Sequence, residues 1–349
     1  MELIVMMHEF EHIVSAYQNN KQQAKASVLA TVVALVGTSY RKPGVRMLIS
    51  EGGQMVGAVS GGCVEKEIYR QSESVFKNGI PKMMTYDGRF RLGCEGILYI
   101  LIEPIELSQD FIENFKKSLD DRGALHLTSY FTKQDQQLSL SFGTRVAFSD
   151  GTTFPINSAM MNPTDEKLEA LEVFQQDLPP ALKLVIIGSE HDAVQLCSFA
   201  ALSGWDVCVI ATDSDPKEIS NFPGAKAVIN TRAELFDMDL IDQRTAVMLM
   251  THSYSKDLKY LLRLEQGVII PYIGLLGPAK RRERVLNEIM EHRPQVSEEF
   301  FNAIHGPAGI NIGAETPQEI AISILSEMLS IFREQQILPL KDKKGRIHS

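Results

Sequence analysis

The sequence predicts an α/β protein in two parts, an N-terminal α+β mixed-sheet domain and a C-terminal Rossmann-like doubly wound domain. Three observations carry this. At 349 residues the chain is longer than one hydrophobic core ordinarily serves. Leu182–Ile187, the Gly188 turn, a helix over 192–202 and a second strand over 205–211 form the opening unit of a parallel sheet. In the first half, two apolar runs, Ser27–Val36 and Ile97–Ile102, flank a sharp strand-to-helix elbow at Gly57–Glu65.

Composition narrows the class. Apolar content is 44% and charged content 23%, ordinary for a soluble globular protein. A formal charge of −9 without a long block of one sign argues against a dedicated nucleic-acid binder. No apolar run reaches membrane-spanning length, and Met1–Phe10 lacks the basic start and greasy segment of a leader. Four cysteines make no disulfide framework in a chain this size, so a cytoplasmic location is expected. Their positions, 63, 94, 197 and 208, contain no CxxC pair, which argues against a structural zinc site.

In the first half, Glu2–Tyr17 reads as a helix with Ile4, Met7, Phe10, Ile13 and Val14 on one stripe, broken by the polar run 19–23. Ser27–Val36 is a buried strand, and a polar, turn-rich loop follows over 37–44. Arg46–Ile49 and Gln54–Val59 pair across the turn at 51–53. A helix follows the elbow, with Ile68, Tyr69, Val75 and Phe76 at helical spacing. Lys82–Tyr86 and Ile97–Ile102 read as strands around Gly93-Cys94-Glu95-Gly96, and Phe111–Leu119 as a helix. Ala124–Phe131, Leu138–Phe142 and Thr144–Phe148 alternate like antiparallel strands. A helix over 167–174, closed by Asp177-Leu-Pro-Pro180, lies in the expected linker. The domain reading is 1–160, a linker 161–181, a second domain 182–335 and a tail 336–349.

In the second half, strands are expected over 227–229, 246–250 and 268–273, with helices between them and a helix over 280–291. Thr316-Pro-Gln-Glu319 has an N-cap hydroxyl, proline at the first helical position and glutamate at the third. It opens a last amphipathic helix through Phe332.

The elbow is the first candidate site. Ser60, Gly61 and Gly62 admit close approach, and Cys63 and Glu65 fall in the first helical turn. Unpaired amides there would attract an anion and lower the thiol pKa. A small cysteine packed under the helix accounts for Cys63 equally well on the local pattern. The loop at 37–44 adds Thr38, Ser39, Tyr40, Arg41 and Lys42, with Arg46 beyond it, a mixture of hydroxyls and cations suited to phosphate or carboxylate. The plain alternative there is a solvated loop. Cys94, like Cys63, sits beside glycine and glutamate, which suggests a shared site.

The dinucleotide reading is tested at Gly188-Ser189-Glu190-His191-Asp192-Ala193. The fingerprint wants G-x-G-x-x-G or A, and only the first glycine and the last small residue fit. Glu190 places negative charge where a pyrophosphate would lie, and Asp192 adds a second. The acid expected at the end of the second strand is Ala211 by position, with Asp213 two residues late.

These stretches resemble the XdhC/CoxI family, accessory factors of xanthine dehydrogenase and related molybdenum hydroxylases. The resemblance rests on ATVVALVGTSYRKPGVRMLIS, GAVSGGCVE and GCEG in the first half, and on MTHSYSKDL, YIGLLGPAKRRERVL and HGPAGINIGAETPQEIAISI in the second. It implies binding of molybdopterin, the organic part of the molybdenum cofactor, and delivery to an apo hydroxylase in step with sulfuration. It implies a chaperone rather than a catalyst, with a cysteine desulfurase as a further partner and a homodimer as the assembly. On this basis Cys63 is the cofactor-contacting thiol, Cys94 a second sulfur, and Arg41 and Arg46 the anion partners. Ser39, Gly61, Gly62 and Glu65 join them, with His191 and His252 from the second domain. The family turn G-A-G-H is altered at Ser189 and Glu190, and Tyr254 replaces the second histidine of T-H-x-H, while His191, His252 and His305 remain. Two competing readings are an NAD(P)-binding oxidoreductase and a docking or dimerisation module.

Overall fold

A computed structural model of the chain describes residues 7–39, 42–90, 96–160 and 171–343. It divides into two compact units, 1–180 and 181–349.

The first unit is built on a five-stranded antiparallel sheet. Its strands are β1 (Ser27–Val36), β2 (Arg46–Ser50), β3 (Met55–Gly57), β4 (Lys82–Asp87) and β5 (Ile97–Pro104), in the order β3-β2-β1-β5-β4. Alternation sorts the side chains. Val28, Ala30 and Val32 of β1, with Ile100 and Ile102 of β5, form one face beneath α2 (Cys63–Asn78), which contributes Val64, Ile68 and Val75. The other face packs on a four-stranded sheet of β6 (Leu125–Phe131), β7 (Gly143–Phe148), β8 (Thr153–Pro155) and β9 (Glu172–Leu178), in the order β8-β7-β6-β9. Helices α1 (Met7–Gln22) and α3 (Gln109–Asp120) complete this core through Phe10, Ile13, Phe111 and Phe115.

Several expectations change here. The first helix runs on through Gln22, because only one stripe need be buried and Asn20 and Lys21 find partners in Ser27 and the Leu107 carbonyl. Its expected start, and Cys94, lie outside the described residues. Residues 138–142 are turn and a single bridge to Lys82 rather than a strand. Gln54–Val59 shortens to Met55–Gly57. Within the stretch read as linker, Glu172–Leu178 is a strand paired to β6, in place of the expected helix. Helical propensity in EVFQQDL gives way to the burial of Gln176 and Leu178 on alternate positions.

The second unit holds a six-stranded parallel sheet. Its strands are β10 (Lys183–Ile187), β11 (Asp206–Ala211), β12 (Ala227–Asn230), β13 (Thr245–Leu249), β14 (Tyr272–Leu275) and β15 (Ile304–His305), in the order β12-β11-β10-β13-β14-β15. Numbered within the unit this is 3-2-1-4-5-6, the doubly wound dinucleotide-fold order. One face carries α4 (His191–Leu202) and α8 (Pro317–Phe332), the other α5 (Tyr254–Leu264) and α6 (Ala279–His292). The connections on either side of β12 are short 3₁₀ turns rather than helices. The expected strand 268–273 begins only at Tyr272, and Val268 and Ile269 are exposed. The short helix α7 (Glu298–Asn302) and strand β15 carry no sequence pattern that announces them. The capping box opening α8 forms as read, with Thr316 accepting from the Glu319 amide and Glu319 accepting from the Thr316 amide. Among the described residues no helix is long and apolar enough to cross a membrane.

Candidate functional site

Antiparallel pairing sends three connections to one end of the five-stranded sheet. Val36 of β1 faces Ile97 of β5, Asp87 of β4 faces Ile97 from the other side, and Met47 of β2 faces Gly57 of β3. The loop after β1, the elbow after β3 and the segment before β5 therefore share that end. Their proximity is tight at one point, since a Cβ on Gly96 would lie 2.4 Å from the Thr38 carbonyl oxygen. Ser39 is half-buried in this loop. Arg41 and Cys94 fall outside the described residues, so only their chain neighbours are located.

The elbow forms where the sequence places it, and Cys63 is the first residue of α2. Its amides are not bare. The Glu65 carboxylate accepts from Val59 N at 3.2 Å, Ser60 N at 2.6 Å and Gly62 N at 2.6 Å. An anion does sit on these donors, and it belongs to the chain itself. This corrects the expectation of an open amide nest, and makes Glu65 a positioning residue rather than a ligand. Burial works to raise the Glu65 pKa, but the amide bonds from Ser60, Gly62 and Val59 outweigh it and hold the group below the usual carboxylate range. In front of the staple the surface is open. Gly61 and Gly62 have nothing within 4 Å of where a Cβ would stand, and Gly62 has φ +108°.

Arg46 also departs from its expected role. It opens β2 at the right end of the sheet, but its side chain turns inward and is 5% exposed. Nη1 donates to the Gly44 carbonyl at 2.8 Å and to Gln176 Oε1 at 2.5 Å. On the same face the buried Glu103 accepts from Thr144 N at 2.9 Å and Thr144 Oγ1 at 2.6 Å, and Thr144 pairs with Ser129. Burial pushes Glu103 up to about 7 and Arg46 down to about 10, although each charge partly supports the other. Arg46 is therefore an internal cation between the sheets and not a surface anion partner.

In the second unit the strand order reverses between β10 and β13, and ligands of such sheets bind at the carboxyl ends there. Gly188 closes the first turn at φ +137°, and a Cβ on it would lie 2.3 Å from the Met250 carbonyl oxygen. Backbone meets backbone, so neither side can yield. Gly188→Ala is expected to destabilise the second unit by about 2–4 kcal/mol, from overpacking plus a dihedral that side chains resist. Urea unfolding of this unit checks it, and an unchanged midpoint would contradict the contact.

Past Gly188 the turn keeps its helix N-terminus but not its phosphate grip. Glu190 is the N-cap of α4 and its side chain makes no capping bond. A helix N-terminus favours an anion by about 0.3–1 kcal/mol, whereas like charges about 4 Å apart repel by about 1–4 kcal/mol from water to a protein surface. With Glu190 and Asp192 both acidic, repulsion wins and a diphosphate is disfavoured.

His191 is exposed at the first position of α4, and His252 is exposed after β13 with φ +54°. Both lie at the carboxyl edge of adjacent strands, as expected. His305 does not join them. It stacks on Tyr272 with ring centroids 4.6 Å apart and pairs with Glu327 at 3.3 Å, a structural arrangement. Beside His252, the buried Asp257 accepts from Thr251 Oγ1 and Arg281 Nη2, both at 2.5 Å. Cys197 and Cys208 are core thiols, and burial pushes Cys197 up to about 11.

Sequence reasoning missed Gln176, Glu103 and Asp257. The one signal available was a lone polar residue closing or flanking an apolar run, as Glu103 does after ILYILI.

The fold and the elbow together define a two-domain accessory-type architecture: a dinucleotide fold that has lost its phosphate turn, preceded by a sheet unit bearing a glycine elbow with a cysteine. Residues 184–328 match the profile described as the XdhC Rossmann domain, and residues 21–87 match the XdhC and CoxI family. The chain belongs to the XdhC/CoxI family. Over 339 residues it is 27% identical to a protein of Bacillus subtilis (strain 168) described as a probable xanthine dehydrogenase component, covering 93% of this chain and 97% of that one. It is 24% identical over 317 residues to the molybdenum cofactor insertion chaperone PaoD of Escherichia coli (strain K12), covering 89% and 85%. Among solved structures, a protein described as a xanthine dehydrogenase from Bacillus halodurans superposes with TM-score 0.74 at 24% identity, over 94% of this chain and 98% of that one, which shows a common fold.

Proposed function

We propose that this protein is an accessory factor that binds the molybdenum cofactor and delivers it to a xanthine dehydrogenase-type molybdenum hydroxylase. The observation that carries this is likeness across both units to a relative named as a molybdenum cofactor insertion chaperone. The site's shape supports it. The open face at Gly61 and Gly62 gives a flat guest direct approach to the first turn of α2, where Cys63 stands. The cargo carries a phosphate and a sulfur-bound metal, so a soft thiol and cationic donors match its chemistry.

In this reading Cys63 contacts the sulfur-rich end of the cargo and Cys94 supplies a second sulfur. Ser39 and Arg41 donate to its anionic end, and His191 and His252 contribute from the second unit. Glu65 and Arg46 hold the shape of the elbow and of the sheet beneath it. The chain holds and passes on its cargo without transforming it. Its partners are the apo hydroxylase, a cysteine desulfurase and a second copy of itself.

Gly61→Ala separates this from a purely structural elbow. The new methyl meets no neighbour, so the apo protein keeps its melting temperature, while anaerobic cofactor binding weakens by about tenfold or more, equivalent to ~1.4 kcal/mol. Cys63→Ala is expected to weaken binding at least as much. Equal binding by the wild type and Cys63→Ala removes the thiol from the mechanism.

A further inference from the structure

A cleft of about 840 Å³ opens at the carboxyl edge of β10, β11 and β12, near the upper end of the ~300–1,000 Å³ usual for small-molecule sites. Cofactor delivery as proposed above makes no use of it. Its lining is sorted by chemistry. Ile187, Ile210, Ala233 and Tyr260 supply apolar surface, and Leu235, also lining it, is 69% exposed. A slot of this kind suits a flat, weakly polar ring.

Two charged groups stand out along the lining. Asp213 follows the end of β11, the position from which an acid reaches ribose hydroxyls in this fold. It accepts from Arg232, but both contacts, at 3.1 Å and 2.9 Å, end on Oδ2. A carboxylate has about four acceptor sites, so Oδ1 can still take a diol. Lys259 and Lys217 are paired to Glu234 and Asp215, the other acids along the same lining. Lys256 also lines the cleft and makes no hydrogen bond or ion pair with the described residues. It is a cation available to one anionic group. At the Gly188 turn, Glu190 and Asp192 repel a second phosphate.

We propose that this cleft binds a ribonucleoside 5′-monophosphate, with the base on the apolar surface, the ribose diol on Asp213 and the single phosphate on Lys256. A dinucleotide is excluded, because its diphosphate would have to pass the Glu190 turn. The site is independent of cofactor delivery, and its test contains no molybdenum.

Calorimetric titration of the full chain with AMP, GMP, CMP, UMP and NAD⁺ decides it. At least one monophosphate is expected to saturate at micromolar concentration, with NAD⁺ about 100-fold weaker or more. Asp213→Ala and Lys256→Ala each weaken the monophosphate by about tenfold or more, and Glu190→Gly strengthens NAD⁺ by a similar factor. Absence of saturable binding by every monophosphate overturns the proposal. So does NAD⁺ binding as tightly as the best of them, or unchanged affinity in both Asp213→Ala and Lys256→Ala. Both residues are exposed, so neither substitution threatens the fold.

Discussion

Glu65→Ala is expected to lower the stability of the first unit by about 2–4 kcal/mol, a fall of about 5–15 °C in its melting temperature. Three amides lose a charged acceptor in one substitution, and the Val59 amide is buried. Bonds to a charged group contribute about 1.5–3 kcal/mol each, and water recovers part of the loss at the two half-buried donors. Glu65→Gln is expected to fall between, since its amide offers a single acceptor oxygen. The pH dependence has a fixed sign. Because the folded carboxyl is held below its usual range, its contribution is present at neutral pH and fades as acid titrates the folded group. Glu65→Gln removes that acid-side loss. Hydrogen exchange at Val59, Ser60 and Gly62 is the direct readout, and unaltered exchange in Glu65→Ala would refute the staple.

Arg46→Met is expected to cost the first unit about 3–5 kcal/mol at pH 8, because it leaves the Glu103 carboxylate buried without its cation. At pH 5 the cost shrinks, since Glu103 is then protonated. The carboxyl is raised from 4.5 to about 7, so folding takes up a proton between those values. Stability from this group is therefore full below about 4.5 and is lost as pH rises through about 7. Glu103→Gln is expected to flatten that slope. Its oxygen accepts from Thr144 N and its amide donates to Thr144 Oγ1, which turns to Ser129. The double substitution Arg46→Met with Glu103→Gln should recover most of the loss at pH 8. Equal costs for Arg46→Met at pH 5 and pH 8 would show that the two groups are uncoupled.

What the sequence reveals depends on whether a feature is local. The elbow, the capping box at Thr316 and the strands of the parallel sheet are written in neighbouring residues, and they form where read. Arg46 shows the limit. In the chain it stands beside Arg41 and Lys42 and reads as part of a cationic loop. Strand alternation then turns it inward, toward a glutamine 130 positions away. Nothing near Arg46 announces Gln176. The same distance problem hid β9, whose residues make sense as a strand only against β6. Glu65 failed differently. Its position was right, but a carboxylate three residues past a glycine turn can cap the turn or meet a ligand, and only coordinates show which.

Glu327 of α8 accepts from the Tyr272 hydroxyl at 2.7 Å and the Gly309 amide at 2.7 Å, while Ala321, Ile324 and Met328 of the same helix cover the face that α4 also covers. Strands translated from residue 183 onward thus wait for a segment made more than a hundred residues later. During synthesis the sheet's apolar face stays uncovered until Pro317–Phe332 emerges from the ribosome, and nascent chains stalled before that point should be clients of the cell's own folding helpers.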